Sequence, residues 1–384
     1  MSDLSSAASS RRAWSLLGVF RGPRFASAIP PVLIAALGVE IARGGLLLIG
    51  RLFATNARTF VDAAPPPLAR FEEGIFGLPF ASALAAALEP AGAVIRPFLV
   101  LFSSESNTSA RLHALLAGLW LIVVWECFGA AISRSVMIRG TTGIYLGIIP
   151  SLRFALRKAA TLIGTPLAPI TICLVLSVPG AIIALLSRLP VVGEALGAIL
   201  GFVPLVFGVM SAVILFGLAL GWPLIATTIA AEAEDGFDAL SRSYSYVNHR
   251  FLSYLAGLAI LVAASVSGIY AARLFVLGVG ELATWPIEAR GLGFSPWRLV
   301  ISTLLEGWVH ANFWSCFSII YLWLRADVDG TEYDRIAPLS ADAELPSFID
   351  ESDGPLAEPK TPRADAPAPS ADSGGEGEGT SAPG

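Results

Sequence analysis

Long apolar stretches, separated by shorter polar ones, dominate the chain up to about residue 324. A helix needs about 20 apolar residues to cross a hydrocarbon core of about 30 Å. The stretches that reach this length cover residues 29–49, 112–132, 162–186, 201–229, 251–277 and 299–324. The pattern predicts an all-α fold, a polytopic transmembrane bundle of about six spans within residues 29–324.

Three shorter apolar segments lie outside these spans, at residues 75–88, 91–102 and 191–203. Apolar segments of about 10 to 14 residues are more often interfacial or re-entrant than spanning, and we expect that of all three. The connection from about residue 54 to residue 110 is therefore predicted to be an extracytoplasmic segment without a full span.

The composition supports a membrane protein and excludes a soluble enzyme. Hydrophobic residues make up 55% of the chain and charged residues 14%, and the mean hydropathy is +0.70. Residues 325–384 differ from the rest, because they hold 4 basic and 14 acidic residues and are rich in proline and glycine. We expect this segment to be an acidic cytoplasmic tail that is disordered from about residue 337.

Basic residues near the ends of the predicted spans indicate the orientation, because Lys and Arg favour the cytoplasmic side. They lie in the basic segment 1–28 and between the second and third spans: Arg11, Arg12, Arg21, Arg24, Arg134, Arg139, Arg153, Arg157 and Lys158. The connection 54–110 also contains arginines, but it is long and includes acidic residues. We expect a bacterial inner-membrane protein with both termini in the cytoplasm.

Three amphipathic stretches, at residues 11–24, 151–158 and 237–250, each precede an outgoing span. Their mixture of basic and apolar residues is typical of elbow helices that lie in the membrane surface. One elbow helix and a two-span hairpin, repeated three times, would give the six spans. Three unrelated amphipathic flanks are the alternative. The apolar side of the second stretch is predicted to contain Leu152, Phe154, Ala155, Leu156 and Ala159, and that of the third Phe237, Leu240, Tyr244 and Val247. The predicted contacts to lipid headgroups are Arg153, Arg157, Lys158 and Arg242.

The third elbow carries a resemblance to a known group of proteins. Residues 239–247 read Ala-Leu-Ser-Arg-Ser-Tyr-Ser-Tyr-Val and are followed by Phe251 and an apolar span. This motif resembles the elbow of uncharacterised bacterial multi-pass families related to the membrane domain of glycerophosphodiester phosphodiesterases. The resemblance covers about 40 residues of the chain and implies a helical membrane domain. It implies no catalytic residue, because the soluble phosphodiesterase domain has no counterpart in this sequence.

The sequence contains none of the motifs GxxxxGK[ST], HExxH, GxSxG or GxGxxG. These motifs mark common nucleotide-binding, metal-binding and hydrolytic sites. Cys127, Cys173 and Cys316 lie in apolar runs without CxxC or Cys/His spacing, so neither a zinc site nor a disulfide framework is predicted. We expect no enzymatic activity, no cofactor and no nucleic-acid partner.

Ionisable residues within the predicted spans are the remaining candidates for a site, because they are costly at membrane depth. The candidate residues are Glu40, Arg43, Glu126, Glu306 and His310. Glu40 and Arg43 are three residues apart and can pair on one helix face. Glu306 and His310 are four apart, so the carboxylate is expected to hold the imidazole proton.

Two functions fit these residues. The favoured one is a non-enzymatic membrane scaffold or envelope-associated component that binds lipids or partner proteins or associates with itself. In that case the polar residues join helices by hydrogen bonds worth about 1 kcal/mol each. The alternative is a small-solute or ion-coupled transporter, in which the same residues line a path and His310 changes charge near neutral pH.

Overall fold

The computed structural model describes residues 16–53, 79–103, 106–189, 193–232, 235–284, 295–331 and 336. Within these residues the structure is helical and contains no strand. A 3-10 helix covers Leu16–Arg21. The α-helices are α1 (Gly22–Ala26), α2 (Ile29–Leu52), α3 (Phe80–Leu101), α4 (Thr108–Thr142), α5 (Ile148–Arg157), α6 (Ala159–Leu186), α7 (Gly193–Leu200), α8 (Phe202–Glu232), α9 (Gly236–His249), α10 (Phe251–Thr284) and α11 (Ser295–Asp329).

Six helical stretches in the described part of the chain are long and apolar enough to cross a membrane. They are α2, α3, α4, α6, α10, and α8 together with the end of α7. The predicted class, a polytopic helical membrane protein, is confirmed. Five of the six predicted spans lie in these helices, but the predicted span 299–324 does not belong to the set and α3 takes its place.

The predicted span 299–324 lies in α11, which is the most enclosed helix of the bundle. Glu306, His310, Asn312 and several serines lower its hydropathy. Every residue from 309 to 322 is nevertheless buried. The neighbouring helices therefore shield α11, and its side chains pack mainly against protein.

The helices packed on α11 alternate in direction. α4 runs parallel to α11, because Trp125 stacks on His310 and Trp314 covers Gly129 one turn further along both helices. α2 and α10 run antiparallel to it. Four contacts show the antiparallel direction: Ala36 with Gly307, Glu40 with Thr303, Ser265 with Asn312, and Gly268 with Trp308.

α6 and α8 form an antiparallel hairpin, in which Cys173 donates to the Ser211 carbonyl and Gly180 packs on Pro204. α8 runs in the same direction as α11, as the contacts Trp222 to Trp314 and Glu232 to Tyr321 show. The helices α2, α4, α6, α8, α10 and α11 thus alternate in direction along the chain. The short helix α7, within the predicted segment 191–203, precedes α8 at the tip of this hairpin.

α3 corrects the prediction for the connection 54–110. Residues 75–88 and 91–102 are not two short segments, because 80–101 form one helix of spanning length. The helix continues through Glu89 and Pro90, and Arg96 pairs with Glu89 two turns later. α3 is antiparallel to α4 and therefore parallel to α2, so α2 and α3 do not form a hairpin. Residues 54–78 lie outside the described part of the chain.

The predicted order of elbows and hairpins is present. The 3-10 helix with α1, then α5, then α9 each immediately precede a long helix: α2, α6 and α10. The first elbow packs inside the bundle, where Gly22 contacts the Cys316 sulfur, rather than lying only as a cytoplasmic basic segment. α11 continues to Asp329, so the predicted tail boundary at residue 325 is too early. Apart from residue 336, the tail beyond 331 lies outside the described residues.

The first part of α8 and the last part of α6 form an apolar arm, defined here as residues 170–186 and 202–217. In the most apolar 18-residue stretch of α6, 6% of the residues are buried, and in that of α8 the share is 0%. The corresponding value for α4 is 61%. Tyr244 of α9 contacts the base of the arm at Ile214 and Gly217. Much of the rest exposes apolar side chains, including Leu174, Leu185, Leu205 and Phe216.

Close packing against α11 makes one prediction. A Cβ atom at Gly129 would lie 2.3 Å from the Trp314 ring, so Gly129→Ala should destabilise the fold by about 1–3 kcal/mol through overpacking. Gly44 has no heavy atom within 4 Å of such a Cβ, so Gly44→Ala is the matched control and should be neutral or stabilising. Thermal unfolding in detergent measures both, and equal midpoints for the two variants would contradict the packing shown here.

Candidate functional site

The predicted pair Glu40 and Arg43 forms, and it extends to a third residue. Arg43 Nη1 donates to Glu40 Oε1 over 2.7 Å, and its Nη2 donates to Glu306 Oε2 over 2.6 Å. Thr303 donates to the same Glu40 oxygen over 2.8 Å. One guanidinium therefore bridges two carboxylates, from α2 and α11, because its separate N–H donors can each reach a different acceptor.

α3 adds a second ion pair that the sequence analysis did not identify. Arg96 donates to Glu89, and both side chains are about one third exposed. Glu89 lies close enough to Glu306 for their charges to interact. We refer to Glu40, Arg43, Glu89, Arg96 and Glu306 as the charge cluster. Because it draws on α2, α3 and α11, it joins three helices at membrane depth.

His310 does not bind the Glu306 carboxylate, so that prediction is wrong. Its Nδ1 lies 3.0 Å from the backbone carbonyl of Glu306, while the Glu306 carboxylate binds Arg43. The imidazole stacks on the Trp125 ring, with 4.0 Å between centroids and 10° between planes. Because Glu306 and His310 are four residues apart, the Glu306 backbone carbonyl lies within reach of the imidazole. The Glu306 carboxylate turns instead to the permanently charged guanidinium of Arg43.

Glu126 is also separate from the charge cluster. Its side chain is 1% exposed, and neither carboxylate oxygen has a hydrogen-bond partner in the described structure. The five predicted residues therefore do not converge on one site. Three of them belong to the charge cluster, His310 packs on an aromatic ring, and Glu126 is buried apart from both.

A second polar assembly surrounds Glu232, the last residue of α8. Tyr321 donates to Glu232 Oε1 over 2.6 Å, and Arg242 binds the other oxygen. Arg325 Nε lies 3.0 Å from Glu232 Oε1, at an angle that makes the contact an ion pair rather than a hydrogen bond. Because Arg242 also binds Asp238 over 2.7 Å, this elbow-side network joins α8, α9 and α11.

The elbow-side network continues along α9 and the end of α11. Tyr246 donates to Asp329, and Arg250 binds Asp327 over 2.8 Å. Burial, together with the hydrogen bond to the Asp329 carboxylate, raises the pKa of Tyr246 above the ordinary tyrosine value. Tyr246 therefore stays protonated and acts as a permanent donor.

Arg134 caps the C-terminal end of α8 from inside the bundle. Its Nη1 donates to the carbonyl of Ala230 over 3.0 Å and lies 3.4 Å from that of Ala231. The last carbonyls of a helix lack intrahelical partners and carry partial negative charge, so a guanidinium is favourable there. The group also lies 5.0 Å above the Phe154 ring of α5. Arg134 thus connects α4, α5 and α8.

The elbow helix α5 has an apolar surface different from the predicted one. Phe154 and Ala155 are buried against the bundle together with Ser151. Leu156, predicted on the same side, is 70% exposed and lies beside Ile149, which is also 70% exposed. The apolar residues therefore form two sides, one against protein and one exposed.

The residues predicted to contact lipid headgroups differ from one another in exposure and in their partners within the protein. Arg153 and Arg157 are exposed on a third side of α5, and Lys158 is half-buried just after it. Arg242 is held by Glu232 and Asp238 instead, so the prediction of a headgroup contact does not fit its position. Phe237 of α9, predicted on the apolar side, is 83% exposed.

Spacing could have identified part of what the sequence analysis missed. Glu89 and Arg96 are seven residues apart and share a helix face, but Pro90 between them hid the continuous helix. Glu232 and Arg325 lie at the ends of apolar stretches, where charges ordinarily flank a span. Arg273, buried in α10 and 1% exposed, gave no signal beyond a single charge.

The described residues contain no group of three or more His, Cys, Asp or Glu side chains placed to hold a metal ion. Comparison of the chain with protein-family models, curated proteins and solved structures found no match. The class of protein is therefore defined by the helical bundle itself.

The ion pair between Arg43 and Glu306 makes a prediction about stability. Each of Arg43→Gln and Glu306→Gln removes the charged bond between α2 and α11, so each should cost about 1–3 kcal/mol for this partly buried pair. The double variant should cost less than the two single costs added together. Thermal unfolding in detergent measures the cycle, with the half-exposed Glu40→Gln as a milder control. Strict additivity would show that the pair does not couple the two helices.

Proposed function

We propose that this protein is a non-enzymatic membrane scaffold whose principal ligand is the lipid bilayer. The observation that carries the proposal is the three-sided form of α5. One side packs on the bundle, a second exposes Ile149 and Leu156, and a third exposes Arg153 and Arg157. A helix at the boundary between acyl chains and headgroups needs these three surfaces.

The disposition of the other charges supports a structural role for them. Glu40, Glu89, Glu232 and Glu306 each bind an arginine of the same chain. All four carboxylates therefore have a partner within the protein, and none of the four needs a solute to neutralise its charge. The apolar arm adds a large surface for acyl chains, because its large exposed side chains are apolar.

We place the side of the bundle that carries α5 and α9 in the cytoplasm of a bacterial inner-membrane protein. The C-terminal ends of α4, α8 and α11 lie on this side, since the three helices are parallel. Arg139, Arg153, Arg157, Lys158 and Arg250 lie there too. A positive excess near span ends favours the cytoplasmic side. Anionic lipid in that leaflet would attract these residues.

A transporter is the second candidate, and the charge cluster favours it. Ionisable side chains from three helices meet at membrane depth, which is common in ion and substrate pathways. The Arg43 and Glu306 variants separate the two functions. A carrier would keep its fold and lose solute or proton flux in reconstituted vesicles, whereas a scaffold would lose stability and show no flux in any form.

The lipid proposal predicts a specific effect of anionic lipid. Phosphatidylglycerol added to the protein in detergent should raise the unfolding midpoint more than phosphatidylcholine does. Arg153→Gln with Arg157→Gln should remove most of that difference, since each arginine near an anionic surface contributes about 1 kcal/mol. Arg188→Gln, an exposed arginine at the other end of the bundle, should keep the wild-type response. A double variant that responds like the wild type would overturn the proposal.

The orientation predicts opposite labelling of two serine positions. In a background with Cys127, Cys173 and Cys316 changed to alanine, Ser241→Cys on α9 should react with an impermeant thiol reagent only after the cells are opened. Ser103→Cys, between α3 and α4, should react in intact cells whose outer membrane is permeabilised. Reaction of both positions from the same side would refute this topology.

A further inference from the structure

Glu126 is the buried carboxyl group that the ion pairs described above do not involve. It lies in the middle of α4, with both oxygens enclosed and without a partner in the described structure. An ionised carboxylate in such surroundings costs far more than a hydrogen-bonded neutral acid. The burial therefore requires a neutral form, a bound cation or internal water.

Two further buried polar groups lie along the same packed face of α4. Ser133 is on the face of Glu126 and Gly129, two helical turns or about 10 Å beyond Glu126. The Trp314 ring covers Gly129, and Trp222 packs edge-on against Trp314 with 5.4 Å between centroids. The Ser133 hydroxyl and the Trp222 indole N–H are both buried without a hydrogen-bond partner.

These groups are complementary in hydrogen bonding. The indole N–H only donates, a hydroxyl donates and accepts, and a carboxyl group accepts on both oxygens and donates when protonated. We propose that Glu126, Ser133 and Trp222 form a buried proton-binding site, in which the Glu126 carboxyl holds the proton and a chain of internal waters along this face of α4 connects it to the other two side chains. Internal water ordinarily satisfies buried polar groups of this kind.

The electrical surroundings of Glu126 support a proton over a metal ion. On α4 the neighbouring Cys127 interacts with its charge. Charged side chains on the helices packed against α4 bind one another instead: Arg43 binds Glu40 and Glu306, Arg96 binds Glu89, and Glu232 binds Arg242. A single carboxyl group and neutral neighbours offer a divalent cation too few ligands.

Infrared difference spectroscopy of the full protein in detergent tests the protonation state. At pH 8 the wild type minus Glu126→Gln should show the carbonyl band of a neutral carboxylic acid, shifted by exchange into D2O. Glu126→Asp should keep such a band at a displaced frequency. A difference spectrum that contains only carboxylate bands would overturn the proposal.

The role of Trp222 is tested by the position of the same band. Trp222→Phe removes the donor and should shift the Glu126 carbonyl band to higher frequency. Trp120→Phe is the matched control, because the Trp120 N–H donates to the Ala42 carbonyl elsewhere on α4, and it should leave the band unmoved. An identical spectrum for Trp222→Phe and the wild type would remove Trp222 from the site.

Stability against pH provides an independent measurement. The unfolded chain releases the Glu126 proton above mildly acidic pH, whereas the folded site keeps it, so the folding equilibrium of the wild type should weaken by up to about tenfold per pH unit relative to Glu126→Gln. The Gln variant should therefore be at least as stable as the wild type at pH 8. A Gln variant that fails to fold, or a gap that does not change with pH, would contradict a neutral carboxyl group.

Discussion

The enclosure of one polar helix determines the arrangement of the others. α11 carries Glu306, His310 and Asn312, and every residue from 309 to 322 is buried. A bilayer cannot solvate such a helix, so more apolar helices have to surround it. α2, α4 and α10 pack on it directly, and each meets it through a close contact of a glycine: Gly307, Gly129 and Gly268. Small residues allow the helix axes to approach, and van der Waals contact then stabilises the assembly.

The apolar periodicity was sufficient to predict the helical class, most of the spans and the order of elbows and hairpins. It was insufficient for α3 and for the surroundings of α11. α3 contains Pro90 and two charges that divide its apolar run, but Glu89 and Arg96 neutralise each other on one face. α11 was predicted as a span like the others, and only tertiary packing explains why its polar residues lie inside the bundle.

The candidate site was predictable only where the partners are near in sequence. Glu40 and Arg43 share a helix turn, so their pairing followed from spacing. The contact of Arg43 with Glu306 joins residues 263 positions apart, and no local pattern could indicate it. The wrong prediction for His310 has the same origin. The spacing of Glu306 and His310 gives no information about the Arg43 guanidinium, which is distant in sequence and binds the Glu306 carboxylate.

Burial and hydropathy are inversely related at the two extremes of this bundle, and that relation bears on function. The arm contains the two most apolar stretches, with mean hydropathies of 2.4 and 2.6, and almost none of either is buried. Aliphatic side chains gain nothing by leaving lipid for another apolar surface, so a protein that needed this hairpin only for stability would not require such a composition. In the proposed scaffold, this exposed apolar hairpin would contact acyl chains and α5 would contact headgroups. The ion pairs and the buried Glu126 lie outside the arm and α5, so the proposed lipid contact and the proposed proton binding would use separate parts of the same fold.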